Sequence, residues 1–220
     1  MESSLSLSAI ATDFNALCAP TSKVMELKAL LQLDLYEKLI ESGQNPLDPF
    51  FRSAFLDYYS ASASPNLDQT ALFTTYSYAL ISGTRDYGAL LELQHQLADP
   101  PRHEYSYISK MLATINPSLP PMDSHIKESL TRYGSMHFRQ ESSAWQDPIS
   151  AAVNNYRLIL HFYEEFIPSA EGRRCIEAFD DAFGVVPFLT ETKKIDYILW
   201  LLGKKANRDR AIAPHEGALS

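Results

Sequence analysis

Apolar residues along this chain recur at three- and four-residue intervals, the spacing that lines one face of an α-helix. Leu27, Leu31, Leu35 and Leu39 repeat every four positions, flanked by Val24, Leu30, Tyr36 and Ile40, and predict a helix from Ser22 to Ser42 with Gly43 as its stop. Asp48-Pro49 supplies a capping carboxylate followed by proline in the first turn, opening a helix that carries Phe50, Phe51, Phe55, Leu56 and Tyr59. Asn66 and Gln69 have the spacing of a capping box ahead of Leu72, Tyr76 and Leu80, a helix that runs to Gly83. Further helices are predicted from Arg85 to Leu97 and over residues 102–115, the latter carrying Tyr105, Ile108 and Leu112.

Residues 116–121 contain three prolines and form the longest expected connection. A helix over 124–138 follows, interrupted by Gly134 and Ser135. Asp147-Pro148 repeats the cap-plus-proline device and opens the most regular pattern of the chain, from Ile149 through Tyr156, Ile159 and Tyr163 to Phe166, ending before Pro168. Ser169 caps a helix that reaches Phe183 and stops at Gly184. The last helix, 190–205, carries Ile195, Ile198, Leu199 and Leu202 as a narrow stripe.

No segment alternates at period two, so the fold expected is all-α: a single helical bundle of about eight or nine helices. Residues 1–20 are read as a flexible leader, 21–205 as the helical domain and 206–220 as a disordered tail. Leu35 to Gly43 resembles part of a pentatricopeptide repeat, but no second copy stands at a repeat period, so no solenoid is expected.

The 220 residues suit one domain, and the 12 Tyr and 11 Phe point to a core of aromatic layers in which phenols supply polar handles. Eight glycines are too few for hairpin-rich or phosphate-cradling architecture. A net charge of −8 repels phosphate backbones and anionic lipid, which disfavours nucleic acid and membrane surfaces as partners. Two cysteines, Cys18 and Cys175, make no disulfide framework. The longest apolar run, Ile195 to Leu202, is interrupted by Asp196 and is far short of the roughly 20 residues that span a bilayer. With no basic region followed by an apolar block at its start, the chain is expected in the cytoplasm. The Ser-rich leader resembles, in composition, the export signals of type III secreted proteins, which leaves secretion by a non-classical route as the alternative.

Glu92 and His95 have the E-x-x-H spacing that ferritin-like di-iron proteins use twice; His161 with Glu165 is the nearest counterpart, in reversed order. The same spacing arises by chance on solvated helix faces. Glu177, Asp180 and Asp181 fall at i, i+3 and i+4, a carboxylate cluster that Arg173 and Arg174 can neutralise. Cys175, with His161 on the preceding helix, is the one nucleophile candidate, though Ile176 and Phe179 beside it fit a buried structural thiol. No phosphate-binding glycine motif occurs. Lys204, Lys205, Arg208 and Arg210 suit a helix C-terminus, where the macrodipole favours cations.

The lack of a complete catalytic motif makes a non-catalytic protein–protein interaction module the leading expectation: an adaptor, a chaperone-like factor or a secreted effector with another protein as its partner. Its contact residues are expected to be Trp145, Tyr58, Tyr59, Ile195 and Leu199, because exposed aromatic side chains anchor interfaces. The alternatives are a metal-dependent bundle enzyme using Glu92, His95, His161 and Glu165, and a small-ligand-binding helical protein with an aromatic pocket. The pattern leaves any cofactor and the oligomeric state open.

Overall fold

A computed structural model describes residues 6–19, 23–60, 66–101, 104–140 and 147–212, with the backbone alone for 23–31. Among the described residues, ten α-helices follow a 3-10 turn at Leu7–Ala9: α1 Ile10–Cys18, α2 Lys23–Glu41, α3 Pro49–Tyr58, α4 Gln69–Ser82 and α5 Tyr87–Leu97 in the first half. The second half holds α6 Tyr105–Ile115, α7 Ser124–Gly134, α8 Pro148–Phe166, α9 Ala170–Phe183 and α10 Glu191–Ile212. Among the described residues there is no strand.

Capping chemistry sets most helix starts. Asp48 accepts from the Phe50 amide at 2.9 Å and Asp147 from the Ser150 amide at 2.9 Å, each with proline in the first turn. Ser169 caps α9 through the Gly172 amide at 3.0 Å. Aspartate is used more widely than the pattern showed: Asp68 rather than Asn66 caps α4, Asp86 caps α5 and Asp123 caps α7. Each side-chain oxygen satisfies an amide that has no partner inside its helix. Helix α7 stops at Gly134 because Ser135 adopts a left-handed conformation (φ +52°), four residues short of the expected end.

The ends of the chain differ most from expectation. Residues 1–20 do not form a flexible leader throughout: α1 docks onto α9 and α10, with Ile10 and Phe14 wholly buried. The ring of Phe14 stacks on Phe179 at 6.4 Å and meets Phe183 at 6.2 Å. Three apolar side chains at helical spacing, Ile10, Phe14 and Leu17, bury enough surface to hold a nine-residue helix that would be marginal alone. At the other end, α10 continues past residue 205 to Ile212, with Arg210 paired to Glu128 at 2.6 Å.

Helix α10 runs through the interior. It packs on α1, α7 and α9, while α4, α5, α6 and α8 contact one another as a second set. Aromatic rings join α3 to the second set: Phe55 of α3 meets Phe73 of α4 at 5.7 Å and Tyr76 of α4 at 6.1 Å. A close backbone approach joins α10 to the first turn of α7, where a Cβ on Gly203 would lie 1.9 Å from the His125 carbonyl oxygen. Only a residue with no side chain permits this crossing, and it decides how α10 and α7 frame the space beside them.

Within a helix, alanine is ordinarily favoured over glycine by about 1 kcal/mol. Gly203→Ala is expected to reverse that sign and destabilise the protein by about 1–3 kcal/mol, because α10 must move off α7. Urea denaturation measures it; a gain in stability would show that the two helices do not approach this closely.

Candidate functional site

From Thr192 to Leu199 every residue of α10 is buried, so the charged residues of that stretch lie inside the protein. Lys193 is 1% exposed, and its Nζ donates to Asp196 Oδ2 at 3.0 Å, one turn along the same helix. The ammonium also stands over the rings of Tyr36 at 5.1 Å and Tyr58 at 5.6 Å. Lys194 leaves the opposite side and reaches both carboxylate oxygens of Asp180 on α9, at 2.6 and 2.8 Å.

A second ion pair faces the first. Lys110 of α6 lies 3.1 Å from Asp123 Oδ2, while Asp123 Oδ1 accepts from the His125 amide at 2.8 Å as the cap of α7. The Lys110 ammonium lies between Tyr59 at 5.5 Å and Tyr107 at 5.1 Å, contacts that strengthen as water is excluded. Around these pairs, hydroxyls join the helices. Tyr59 donates to the Lys110 carbonyl at 3.1 Å, and Tyr197 donates to the Gln32 carbonyl at 2.7 Å. Gln32 Nε2 donates in turn to the Tyr58 carbonyl at 2.9 Å, fixing the end of α3 against α2 and α10.

Several of these groups line a partly open cavity of about 190 Å³ between α10 and the α6–α7 connection, bordered by the C-terminus of α3. Tyr58, Tyr59, Tyr197 and Trp200 form its aromatic wall, and Lys110, Asp123, His125 and Asp196 are among its polar members, with Gln32, Ser60 and Lys204. Trp200 and Lys204 are half-buried at the rim, the Lys204 ammonium 4.2 Å from the indole centroid. The His125 ring stands edge-on to Trp200 at 6.0 Å, and its Nδ1 is 2.9 Å from the Asn207 amide nitrogen. Because that amide nitrogen donates, the neutral imidazole carries its own proton on Nε2.

The electrostatics differ between the two aspartates. Burial pushes the Asp123 carboxyl up, but Lys110 and the His125 amide outweigh it and hold the group below the usual carboxylate range. At Asp196 burial prevails over Lys193 and raises the carboxyl. Its Oδ1 is buried and has no hydrogen-bond partner among the described residues. Burial works against the Lys193 ammonium, yet Asp196 outweighs it and holds Lys193 above the ordinary lysine value, so the amine stays charged. Burial pushes Tyr59 up to about 12 and Tyr58 well above the usual phenol range, so both hydroxyls remain protonated at neutral pH. Burial holds His125 below the ordinary histidine value, with Asp123 opposing. Together these groups provide hydrogen bonding, fixed charge and ring contacts. A charged lysine and protonated phenols are not nucleophiles.

Of the sequence-derived candidates, Tyr58 and Tyr59 line this cavity. They are 6% and 9% exposed, so they face inward and offer no protein-binding surface. Ile195 and Leu199 are core residues at 1% and 0% exposure, because the Thr192–Leu199 stretch of α10 is covered on all sides; the narrow stripe read from the sequence is one part of this buried stretch. Trp145 lies outside the described residues. The di-metal set does not assemble: Glu92 is exposed on α5, and His161 pairs with Glu165 at 3.3 Å on the solvent face of α8. Among the described residues no three His, Cys, Asp or Glu side chains are grouped to hold a metal. The Glu177, Asp180 and Asp181 cluster resolves into a lysine pair at Asp180 and two exposed carboxylates. Cys175 is buried in the core, and burial pushes its thiol up to about 12, which removes the thiolate a nucleophile needs.

Sequence reasoning missed Lys110, Asp123, His125, Lys193, Asp196 and Trp200 as a group. One signal was present: Lys193 and Asp196 stand at i, i+3 in a segment whose apolar neighbours leave no polar face.

Lys193→Met alone is expected to cost about 3–5 kcal/mol, because it leaves Asp196 charged and buried. Lys193→Met combined with Asp196→Leu should recover most of that loss, since an apolar pair needs no compensation. Denaturant titration of both variants checks it; equal losses would show that the two side chains are not energetically coupled. Comparison with known proteins gives no matching family model, no matching curated protein and no matching solved structure.

Proposed function

We propose that this chain is a small-ligand-binding helical protein whose ligand occupies the cavity between α10 and the α6–α7 connection. The observation that carries this reading is the composition of the cavity wall: four aromatic rings beside two largely buried Lys–Asp pairs, brought together from α6, α10, the end of α3 and the start of α7. Small-molecule sites combine apolar walls with a few placed polar groups in this way. Buried ion pairs contribute little net stability compared with apolar residues of the same volume, so two of them at one cavity favour a role in recognition. A chain with two cysteines has no disulfide framework, which fits a reducing compartment and supports a cytoplasmic location. None of the described helices is long and apolar enough to cross a membrane.

A Trp145→Phe variant leaves Trp200 as the sole indole of a chain that has two. Millimolar titration with single-ring aromatic probes is expected to give saturable changes in Trp200 emission and in the His125 imidazole resonances. Probes that shift neither signal would remove this cavity as a binding site.

A second reading, the protein–protein interaction module, is supported by Tyr78 and Ile81. They stand one turn apart on α4 at 52% and 88% exposure, a large apolar pair facing outward. Affinity capture with the intact chain and with a Tyr78→Lys/Ile81→Lys variant tests it. A partner held by the first and lost by the second is the expected result; identical capture removes this surface.

A further inference from the structure

We propose that the end of the protein formed by α7 and the last turns of α10 docks a short acidic peptide segment of another protein, with an apolar side chain of that segment seated in a groove beside α7. This surface uses neither Tyr78 nor Ile81 and needs no occupant in the cavity. Its basis is an uneven distribution of charge. Gly203 crosses the first turn of α7, Asn207 meets His125 at 2.9 Å and Arg210 pairs with Glu128 at 2.6 Å, so the last turns of α10 run beside α7. The charges of the two helices therefore share one end of the molecule. Residues 124–134 and 203–212 hold six lysines and arginines against Glu128 and Asp209. That surplus of four stands in a chain whose total is −8, so the remaining residues together carry −12.

Helix-end chemistry accounts for little of this surplus. The helix dipole favours cations within the last turn, and of the α10 cations only Arg210 stands there. The two carboxylates of this end are already taken, Glu128 by Arg210 and Asp209 by Lys205. Asp209 also shows what a carboxylate meets there. A hydrogen bond from Lys205 holds its carboxyl below the usual range, and the charges of Arg208 and Arg132 add to the effect. Arg132 and Arg208 are both exposed. Cations from both helices thus act on one carboxylate, and an acidic side chain of a partner would find the same field.

The groove supplies an apolar element. Ser124, Lys127, Glu128 and Thr131 of α7, with Met136, His137 and Phe138 of the segment that follows it, line an open groove of about 340 Å³. Met136 and Phe138 are half-buried in it. A void of about 150 Å³ holds a benzene ring, so the groove has room for an aromatic side chain. Because Glu128 lines the groove and pairs with Arg210, the groove opens beside the basic end of α10. An apolar side chain flanked by carboxylates matches both features.

Length and screening select a peptide over a larger polyanion. Helix α7 has 11 residues and, at about 1.5 Å per residue, is about 16 Å long, the reach of about five extended residues. A segment of that length stays on the basic end. At physiological salt, exposed charges act over about 8 Å. Nucleic acid or an anionic bilayer extending past this end therefore meets the acidic remainder of the protein and is repelled.

The probe is acetyl-Glu-Asp-Phe-Glu-Asp-amide, titrated into the full chain at low salt and followed by the imidazole resonances of His137, which lines the groove. Saturable shifts are expected. Binding should be about tenfold weaker or worse for the neutral isostere Gln-Asn-Phe-Gln-Asn, and about threefold weaker or worse when alanine replaces the phenylalanine. No saturable shift with the acidic peptide, or equal binding by either control peptide, overturns the proposal. So does tighter binding of a short single-stranded DNA or of phosphatidylserine vesicles, which would assign this end to a polyanion of another class. Arg132→Glu combined with Arg208→Glu should weaken the acidic peptide about tenfold or more. Arg173→Glu combined with Arg174→Glu on α9 changes net charge equally and should leave the affinity within about twofold. Equal losses in both variants would assign the effect to net charge and overturn the placement. If the first variant does not fold, Arg208→Gln replaces it, with a loss of about threefold expected and an unchanged affinity overturning the placement.

Discussion

The ion pair between Lys193 and Asp196 is the constraint around which much of this structure is arranged. Both groups sit on the buried Thr192–Leu199 stretch of α10, where little water reaches them. An unpaired ammonium there would cost several kcal/mol, and the fold answers with a carboxylate one turn away and two tyrosine rings over the charge. The abundance of tyrosine in the sequence then has a physical use. Rings bury large apolar area while their quadrupoles and hydroxyls accommodate the charge, which leucine or phenylalanine could do only in part. The same tyrosines bring α2 and α3 onto α10, since Tyr197 and Tyr58 are each held through Gln32.

Close backbone approach makes the arrangement rigid. Gly203 lets α10 cross the first turn of α7, and Gly172 plays the same part where α9 begins against the end of α8, with the Phe166 carbonyl 2.0 Å from where its Cβ would stand. The first crossing brings His125 and Asp123 beside Trp200 and Asp196, so a packing requirement also assembles the polar members of the cavity. On the far side of α10, α1 packs Phe14 against Phe179 and keeps that face dry. The cavity therefore lies where two sets of helices meet, a common place for ligands in helical proteins.

Helix count and most boundaries were legible in the sequence because their causes are local. Asp48-Pro49, Asp147-Pro148 and Ser169 act within one turn, and the stops at Gly43, Gly83 and Gly184 adopt the positive φ that glycine permits. Helix α1 was harder to read, because nine residues hold a helix only through contacts with α9 and α10 made more than 150 positions later. The site was harder still. Tyr58 and Tyr59 were nominated for the wrong environment, since a tyrosine pair reads alike whether it faces solvent or an internal cavity. Ile195 and Leu199 defined one apolar face correctly, and the one local sign that the opposite face, with Lys193 and Asp196, is covered as well is that the apolar residues from Tyr197 to Leu202 surround the helix. The E-x-x-H spacing at Glu92 and His95 misled for a related reason: spacing places residues on a helix face but does not say whether that face meets a partner.

Two aspartates at one cavity, each 3.0–3.1 Å from a lysine, depart from the ordinary carboxylate value in opposite directions. Their difference follows from the number of donors. Asp123 caps α7 and takes a backbone amide on the oxygen that Lys110 leaves, so both oxygens are satisfied and the charged form is favoured. Asp196 lies mid-helix, where neighbouring amides are already bonded within α10, and it receives Lys193 alone. Position within the helix thus decides which carboxylate is saturated. A residue at a helix start finds donors in its own backbone; one in a helix interior must find them elsewhere. The α10 side therefore keeps one buried carboxylate oxygen without a donor among the described residues, although both sides carry the same pair of residue types.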